Sequence, residues 1–401
     1  MKKILLFGAG KIGRSFIGQL FSQGGYEVVF VDINRDLIDA LNDSRSYPVV
    51  IKSDKGDEIQ QINNVKGIYL SDPEKIYSEL KDVSYIATAV GNENLKGIIP
   101  IIAEGIKRRL QNEIYIPVDI IIAENLRNAS AYFEEQLQKY LPQDYINKYI
   151  GLVETSIGKM VPIMTRADLE KDITQVFAEP YNSLILDKKG FKNDLPVIPG
   201  LAPKENMKAW VDRKSFIHNL GHATAAYFGF LKHPERIYLH EVLADEEVKK
   251  FTRNTMMQSG KILQKLYPGE FTNTDIIEHI DDLISRFQNK SLGDTVFRVG
   301  MDLNRKLSNE DRLAGAIHQA LNLKMPFYNI LKALVYGMYF RATDENGQLF
   351  EGDARFIEIF NASGVQYILE NISGFDPLIH PDVFTLSKNY NIEVLSRLNK
   401  H

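Results

Sequence analysis

Near its start the chain reads "KILLFGAGKIGRSFIGQLFSQG", and this stretch narrows the possible folds more than any other. The apolar run Ile4–Phe7 predicts a buried strand. It passes straight into Gly8, Gly10 and Gly13, spaced G-x-G-x-x-G, and an amphipathic helix follows with Phe16, Leu20 and Phe21 turned inward. Strand, glycine turn and helix in that order form the phosphate-binding corner of a dinucleotide-binding βαβ unit. Gly8 permits the tight turn, Gly10 lets a pyrophosphate approach the backbone, and Gly13 lets the helix pack against the strand. Ile12 lies within the same turn. The helix amino terminus offers N–H groups and partial positive charge to the phosphates. Asp32 closes the second apolar run, "EVVFVD", at about the expected 20-residue distance, where its carboxylate can accept from an adenosine ribose. It would repel a 2′-phosphate, so NAD is expected over NADP, a preference that nearby Arg35 moderates.

The strands that follow, "VSYIATAVG" and "VDIIIAEN", are apolar throughout and separated by helical segments. That pattern predicts an α/β fold with a doubly wound parallel sheet covered on both faces. Gly91 and Asn125 fall at the ends of these strands, where ligands of open parallel sheets bind, and are candidates for the cofactor groove. The segment "PVVIKSDKGDEIQQINNVKGIYLSD" predicts a small antiparallel excursion. Prolines and glycines gather between Gly190 and Pro203, marking a linker or domain boundary. We therefore expect a Rossmann-type domain over residues 1–195 and a mainly helical substrate domain over residues 196–401. Within the latter, "SNEDRL" predicts a helix start with Ser308 as N-cap and Asp311 at the third position.

A chain of 401 residues suffices for two such domains. Its net charge of -4 gives no basic excess for nucleic acid or a membrane surface. No apolar run is long enough to span a bilayer, and "ILLF" is too short for a signal peptide. The absence of cysteine excludes disulfides, cysteine–zinc sites and thiol nucleophiles, and fits a reducing compartment. A cytoplasmic monomer or homodimer is expected.

The second domain opens with "RKSFIHNLGHATAAYFG", which contains Lys214, His218, Asn219 and His222. At about 100° per residue an α-helix puts these four on one face, with Asn219 about 140° from Lys214. Two readings arise. His218 and His222, one turn apart, could hold a metal, although Asn219 stands where H-E-x-x-H has its glutamate and only distant groups such as His240 could add ligands. Alternatively, a lysine with a lowered pKa can take a proton from an alcohol, an asparagine N–H can stabilise the alkoxide, and a histidine can orient the oxygen.

The pattern K-x-x-x-x-N-x-x-H after a G-x-G-x-x-G domain resembles the polyol-specific long-chain dehydrogenases. The similarity runs through "FGAGKIGRSFIG", "TAVG", "RKSFIHNLGHATAAYFG", "RVGMDLNRKLSNEDRL" and "ISGFD", and so covers both domains. "NLGHATAAY" is more like the phosphate-using branch than the free-polyol branch. The resemblance implies a metal-independent, NAD-dependent oxidoreductase that interconverts a polyol phosphate and a ketose phosphate, mannitol 1-phosphate and fructose 6-phosphate. It makes Lys214 the general base and Asn219 and His222 the groups that polarise the substrate oxygen. A phosphate calls for cations, and Arg298, Arg305 and Lys306 are the candidates. A uronate reductase of the same superfamily and a non-catalytic NAD-binding sensor are the rivals; the sensor should have lost Lys214 or Asn219, and both are present. Four positions depart from the family pattern. Gly158 and Lys159 replace an aspartate–arginine pair, Glu154 stands where free-polyol members use an asparagine, and Met301 replaces an arginine.

Overall fold

The computed structural model describes residues 2–399. They form two compact units, one ending at Val211 and the other beginning at Asp212.

The first unit is built on an eight-stranded sheet. Its strands are β1 (Lys3–Phe7), β2 (Glu27–Asp32), β5 (Val65–Tyr69), β6 (Tyr85–Thr88), β7 (Val118–Ile122), β8 (Ile150–Ser156), β10 (Leu184–Asp187) and β11 (Leu201–Lys204), in the order β11-β10-β8-β7-β6-β1-β2-β5. From β8 to β5 all neighbours are parallel, while β10 runs antiparallel to β8. Side chains of β1 alternate between two cores, Ile4 and Leu6 on one face of the sheet, Leu5 and Phe7 on the other. Burying each is worth ~1.5–3 kcal/mol, which outweighs the ~1 kcal/mol that a glycine costs in chain entropy. The strand can therefore hold the glycine turn that follows it. Phe16, Leu20 and Phe21 are buried, as their spacing predicts. The chain builds outward from β1 through β2 to β5, then returns to the other side of β1 with β6. The carboxyl ends of β1 and β6 thus form the switch point at which such sheets bind ligands.

The antiparallel excursion expected over residues 48–72 is present in its first part only, because Val65–Tyr69 joins the main sheet as parallel β5. β3 (Ser46–Ile51) and β4 (Glu58–Asn63) pair antiparallel, and β9 (Val176–Ala178) adds to β3 in parallel to make a separate three-stranded sheet. The proline-rich stretch joins β10 to β11 and is fixed to the sheet. The buried Asp119 carboxylate of β7 accepts from Lys192 N at 2.7 Å, Asn193 N at 3.1 Å and Asn193 Nδ2 at 3.0 Å.

The second unit is helical throughout. Its central helix, Leu220–Lys232, is buried almost all round, and small residues along it permit close packing. Glu246–Leu266 and Tyr328–Met338 pack against it. One predicted start is corrected. The helix after "SNEDRL" begins at Ala314, and Ser308 is not its N-cap. The Asp311 carboxylate is drawn instead to Arg312, whose Nε and backbone N donate to it at 2.7 and 2.6 Å. Residues 308–311 form a turn closed by Asp311 N on Ser308 O at 3.1 Å.

Candidate active site

The glycine turn sits at the switch point of the first unit. Gly8 has φ +98°, and a Cβ there would come within 2.4 Å of Ala89 O. A Cβ on Gly13 would fall 1.9 Å from Gly8 O, so the helix can approach the turn only without a side chain. Gly10 is different, because a Cβ there would meet nothing within 4 Å. Its backbone faces a cavity of about 470 Å³ whose lining includes Gly8, Gly10, Asp32, Ile33, Ala89 and Val90. Gly13 and Ile12 lie outside that lining, Gly13 under the turn and Ile12 against the core. Gly91 and Asn125 are not among the lining residues either. Gly91 continues the wall at φ +86°, and the Asn125 carbonyl accepts from Asn92 Nδ2 at 2.9 Å.

Asp32 also braces the turn. Its Oδ2 accepts from Ala9 N at 2.7 Å and its Oδ1 from Asn34 N at 2.9 Å. Each oxygen keeps acceptor capacity for a ribose, since a carboxylate offers about four lone-pair sites. Arg14 holds the turn from behind. It is buried, donates through Nε to Ala9 O at 2.7 Å, and reaches Thr174 O at 2.5 Å with NH1. Nothing in its local sequence distinguishes it from a solvated helix residue. A turn with open space at Gly10, a helix start beside it and an acceptor at Asp32 suits a dinucleotide.

In the second unit the helix is not α where the key residues lie. Lys214–Asn219 is wound as a π turn, and only from Leu220 does α geometry resume. Bonding from i to i+5 stacks residues five apart, and such turns gather at functional sites. Lys214 and Asn219 are five apart, so they are much closer on the helix face than the 140° of a regular helix suggests. Gly13–Gly18 of the first unit is wound the same way.

The surroundings of this turn are cationic. Burial, and after it the charge of Arg312, pushes the partly buried Lys214 amine down to about 8. Lys306 is buried, donates to Val299 O at 2.8 Å, and falls to about 7 through burial and the charges of Arg312 and Arg305. His222 is held well below its ordinary value by burial and then by Arg298, Lys306, Arg312 and Arg286, so its imidazole is neutral at pH 7. Its ring stacks on Phe287, centroids 4.5 Å apart and 6° from parallel, and its Nε2 lies 3.4 Å from Oδ2 of buried Asp294. The other Asp294 oxygen pairs with Arg298.

The predicted substrate cations thus separate. Arg298 and Lys306 belong to the environment of His222, whereas half-exposed Arg305 is paired with Asp302 at 2.5 Å and Asp311 at 3.3 Å. Asp294 and Phe287 carry no local signal in the sequence, and Arg312, though it lies within the motif that ends in "SNEDRL", is not singled out by it; tertiary packing brings all three in. His218 and His222 are 6.0 Å apart between ring centroids. Among the described residues there is no group of three or more His, Asp or Glu that could hold a metal ion.

The departures from the family pattern are structural where the contacts define them. Glu154 accepts from Ala129 N at 3.0 Å and so caps the helix Ala129–Leu137, with burial raising its pKa. Lys159 is buried, its Nζ 2.8 Å from Asn182 Oδ1 and above the Phe16 ring. Gly158 lies against Tyr181, and Met301 ends the short helix Val296–Gly300.

Comparison with known proteins agrees with both halves. Residues 2–200 match the mannitol dehydrogenase Rossmann domain, and residues 206–380 match the mannitol dehydrogenase C-terminal domain. The chain belongs to the mannitol dehydrogenase family. It is 31% identical over 396 residues to the mannitol-1-phosphate 5-dehydrogenase of Buchnera aphidicola subsp. Acyrthosiphon pisum (strain APS), covering 97% of this chain and 98% of that protein. Two solved structures share its fold. A D-sorbitol dehydrogenase in substrate-free form has TM-score 0.79 at 16% identity, over 98% of this chain and 92% of the other. The Pseudomonas fluorescens mannitol 2-dehydrogenase, in ternary complex with NAD and D-mannitol, has TM-score 0.75 at 16% identity, over 100% of this chain and 94% of the other. The α/β Rossmann unit followed by a helical unit is therefore the family architecture. The chain is therefore a dehydrogenase of that family. No helix of the described residues is long and apolar enough to cross a membrane.

Two outcomes follow for the cofactor groove. Gly10→Ala should fold with wild-type melting temperature yet lose NADH affinity, because its methyl enters open space that a pyrophosphate needs. Gly13→Ala should lower the melting temperature itself; calorimetry and NADH titration separate the two, and equal behaviour would contradict these roles. Asp32→Ser should weaken NAD and narrow the gap to NADP, measured as the ratio of kcat/KM for the two cofactors. An unchanged ratio would remove Asp32 from ribose recognition.

Proposed function

We propose that the chain interconverts D-mannitol 1-phosphate and D-fructose 6-phosphate, with Lys214 as general base and no metal ion. The observation that carries this reading is the placement of Lys214, where burial, and after it the charge of Arg312, lowers the amine to about 8, so that it can take up and give back a proton close to physiological pH. In polyol oxidation the hydroxyl proton passes to Lys214 Nζ. The Asn219 side-chain amide donates to the oxygen as negative charge develops there. His222, oriented by Phe287 and Asp294, fixes the position of that oxygen. NAD, when bound, supplies the acceptor for the hydride that leaves the carbon. Its pyrophosphate would rest on Gly8, Gly10 and the helix start, and its ribose on Asp32. Arg298 and Arg312 supply positive charge for a substrate phosphate, and a bound phosphate would favour the protonated form of Lys306 as well. The phosphorylated substrate is also the one named for the relative at 31% identity. A chain without cysteine suits the cytoplasm, where we place it.

NADH oxidation should be fast with fructose 6-phosphate and at least about tenfold slower in kcat/KM with free fructose, since losing charge-assisted bonds to phosphate costs upwards of ~1.4 kcal/mol. A preference for fructuronate would point to a uronate reductase instead. Lys214→Ala should lower kcat by about 10²–10⁴-fold and leave NADH binding nearly intact. In the wild type, polyol oxidation should rise with pH through about 8, because only the neutral amine accepts a proton. Ketose reduction should fall through the same midpoint, because only the charged amine can donate one. A mutant that keeps both limbs would exclude Lys214 as the base. Activity should also survive dialysis against a strong chelator; loss that zinc restores would favour a metal on His218 and His222.

A further inference from the structure

Glu124, immediately after β7, is a buried carboxylate that the chemistry above does not use. Its two oxygens are both engaged by the neighbouring strand's loop. Oε1 accepts from Val90 N at 2.9 Å, and Oε2 accepts from Gly91 N at 2.9 Å. Two consecutive backbone donors point the same way, and a carboxylate is the side chain whose two equivalent acceptors match them.

The loop so held is a wall of the cofactor groove. Ala89 and Val90 line the cavity together with Gly8 and Gly10. The fit between wall and glycine turn leaves no slack, because even a methyl on Gly8 would strike the Ala89 carbonyl at 2.4 Å. The loop's conformation is one that does not hold itself. Gly91 has φ 86° and ψ 145°, a region open essentially to glycine alone. Asn94 Nδ2 donates to Val90 O at 2.8 Å and fixes the carbonyl side, and Glu124 fixes the N–H side.

We propose that Glu124 is a positioning residue for NAD: by binding the Val90 and Gly91 amides it sets the wall against which the dinucleotide is held. It acts through the loop and takes no part in proton or hydride transfer. An amide at this position retains one acceptor but turns an N–H₂ toward the second backbone N–H, leaving that donor without a partner. An aspartate keeps the charge but is one methylene too short to reach both donors.

The test measures Glu124→Gln and Glu124→Asp in three ways. Hydrogen exchange of the cofactor-free protein should show faster exchange at Val90 and Gly91, with the rest of the sheet protected as in the wild type. NADH titration should show a dissociation constant raised about tenfold or more, the order expected when a buried donor loses its acceptor. In steady state, KM for NAD should rise by a similar factor, while kcat falls less than twofold and KM for the polyol is unchanged. If Glu124→Gln lowers the melting temperature of the whole protein, Glu124→Asp is the variant on which the three are read. NADH affinity within twofold of wild type in a folded variant would overturn the proposal, and so would a loss confined to kcat.

Discussion

Burial, reinforced by one repulsion, sets the charge of Lys214 in the second unit. Lys214 is carried into a partly buried position beside Arg312, with Lys306 close to the same arginine. Burial alone disfavours a charged amine, and a fixed neighbouring guanidinium disfavours it further. Arginine suits that task because it cannot give up its own proton. The result is a lysine that exchanges a proton near physiological pH, which an exposed lysine does not do. His222 answers to the same cations and stays neutral, so it can accept or donate a hydrogen bond without carrying charge. Asp311 and Asp294 keep this excess of cations in place, one paired with Arg305 and Arg312, the other between Arg298 and His222.

The first unit rests on a different constraint, steric closeness around the glycine turn. Gly8, Gly13 and the Ala89 carbonyl meet at distances that no side chain could share. Three polar braces hold the arrangement: Asp32 on the Ala9 amide, Arg14 on the Ala9 carbonyl, and Glu124 on the loop beyond β6. Two of these braces are buried charges. Removing a partner from such a group leaves polar atoms without compensation, so the turn is rigid before any cofactor arrives. Rigidity of that kind lowers the cost of ordering on binding.

How much of this could be read from the sequence depended on range. The glycine turn, the apolar strands and Asp32 are local patterns, and the structure puts them where their spacing predicts. Lys214, Asn219 and His222 also stood out, but their mutual placement did not, because periodicity assumes an α-helix and the chain winds π there. The local motif predicts Ser308 as an N-cap, whereas the helix begins at Ala314 and the Asp311 carboxylate accepts from Arg312. The stretch around Pro196 reads as a linker by composition, yet Asp119, far away in sequence, ties it to the sheet. The contacts that Glu124, Asp294 and Arg312 make have no sign in the sequence around them. Each acquires its role from a neighbour that only folding supplies, and the same holds for Glu154, whose carboxylate caps a helix.

The charge of Arg312 helps set the protonation of Lys214, and the pH dependence of Arg312→Gln measures that contribution most directly. Rates of polyol oxidation at saturating substrate and cofactor should show the wild-type limb near 8. Removing the positive neighbour relieves the repulsion and raises the lysine pKa, so the limb should move to higher pH while staying below the ordinary lysine value, because burial still acts. A limb that keeps its position, or moves toward acid, would contradict the electrostatic role given to Arg312.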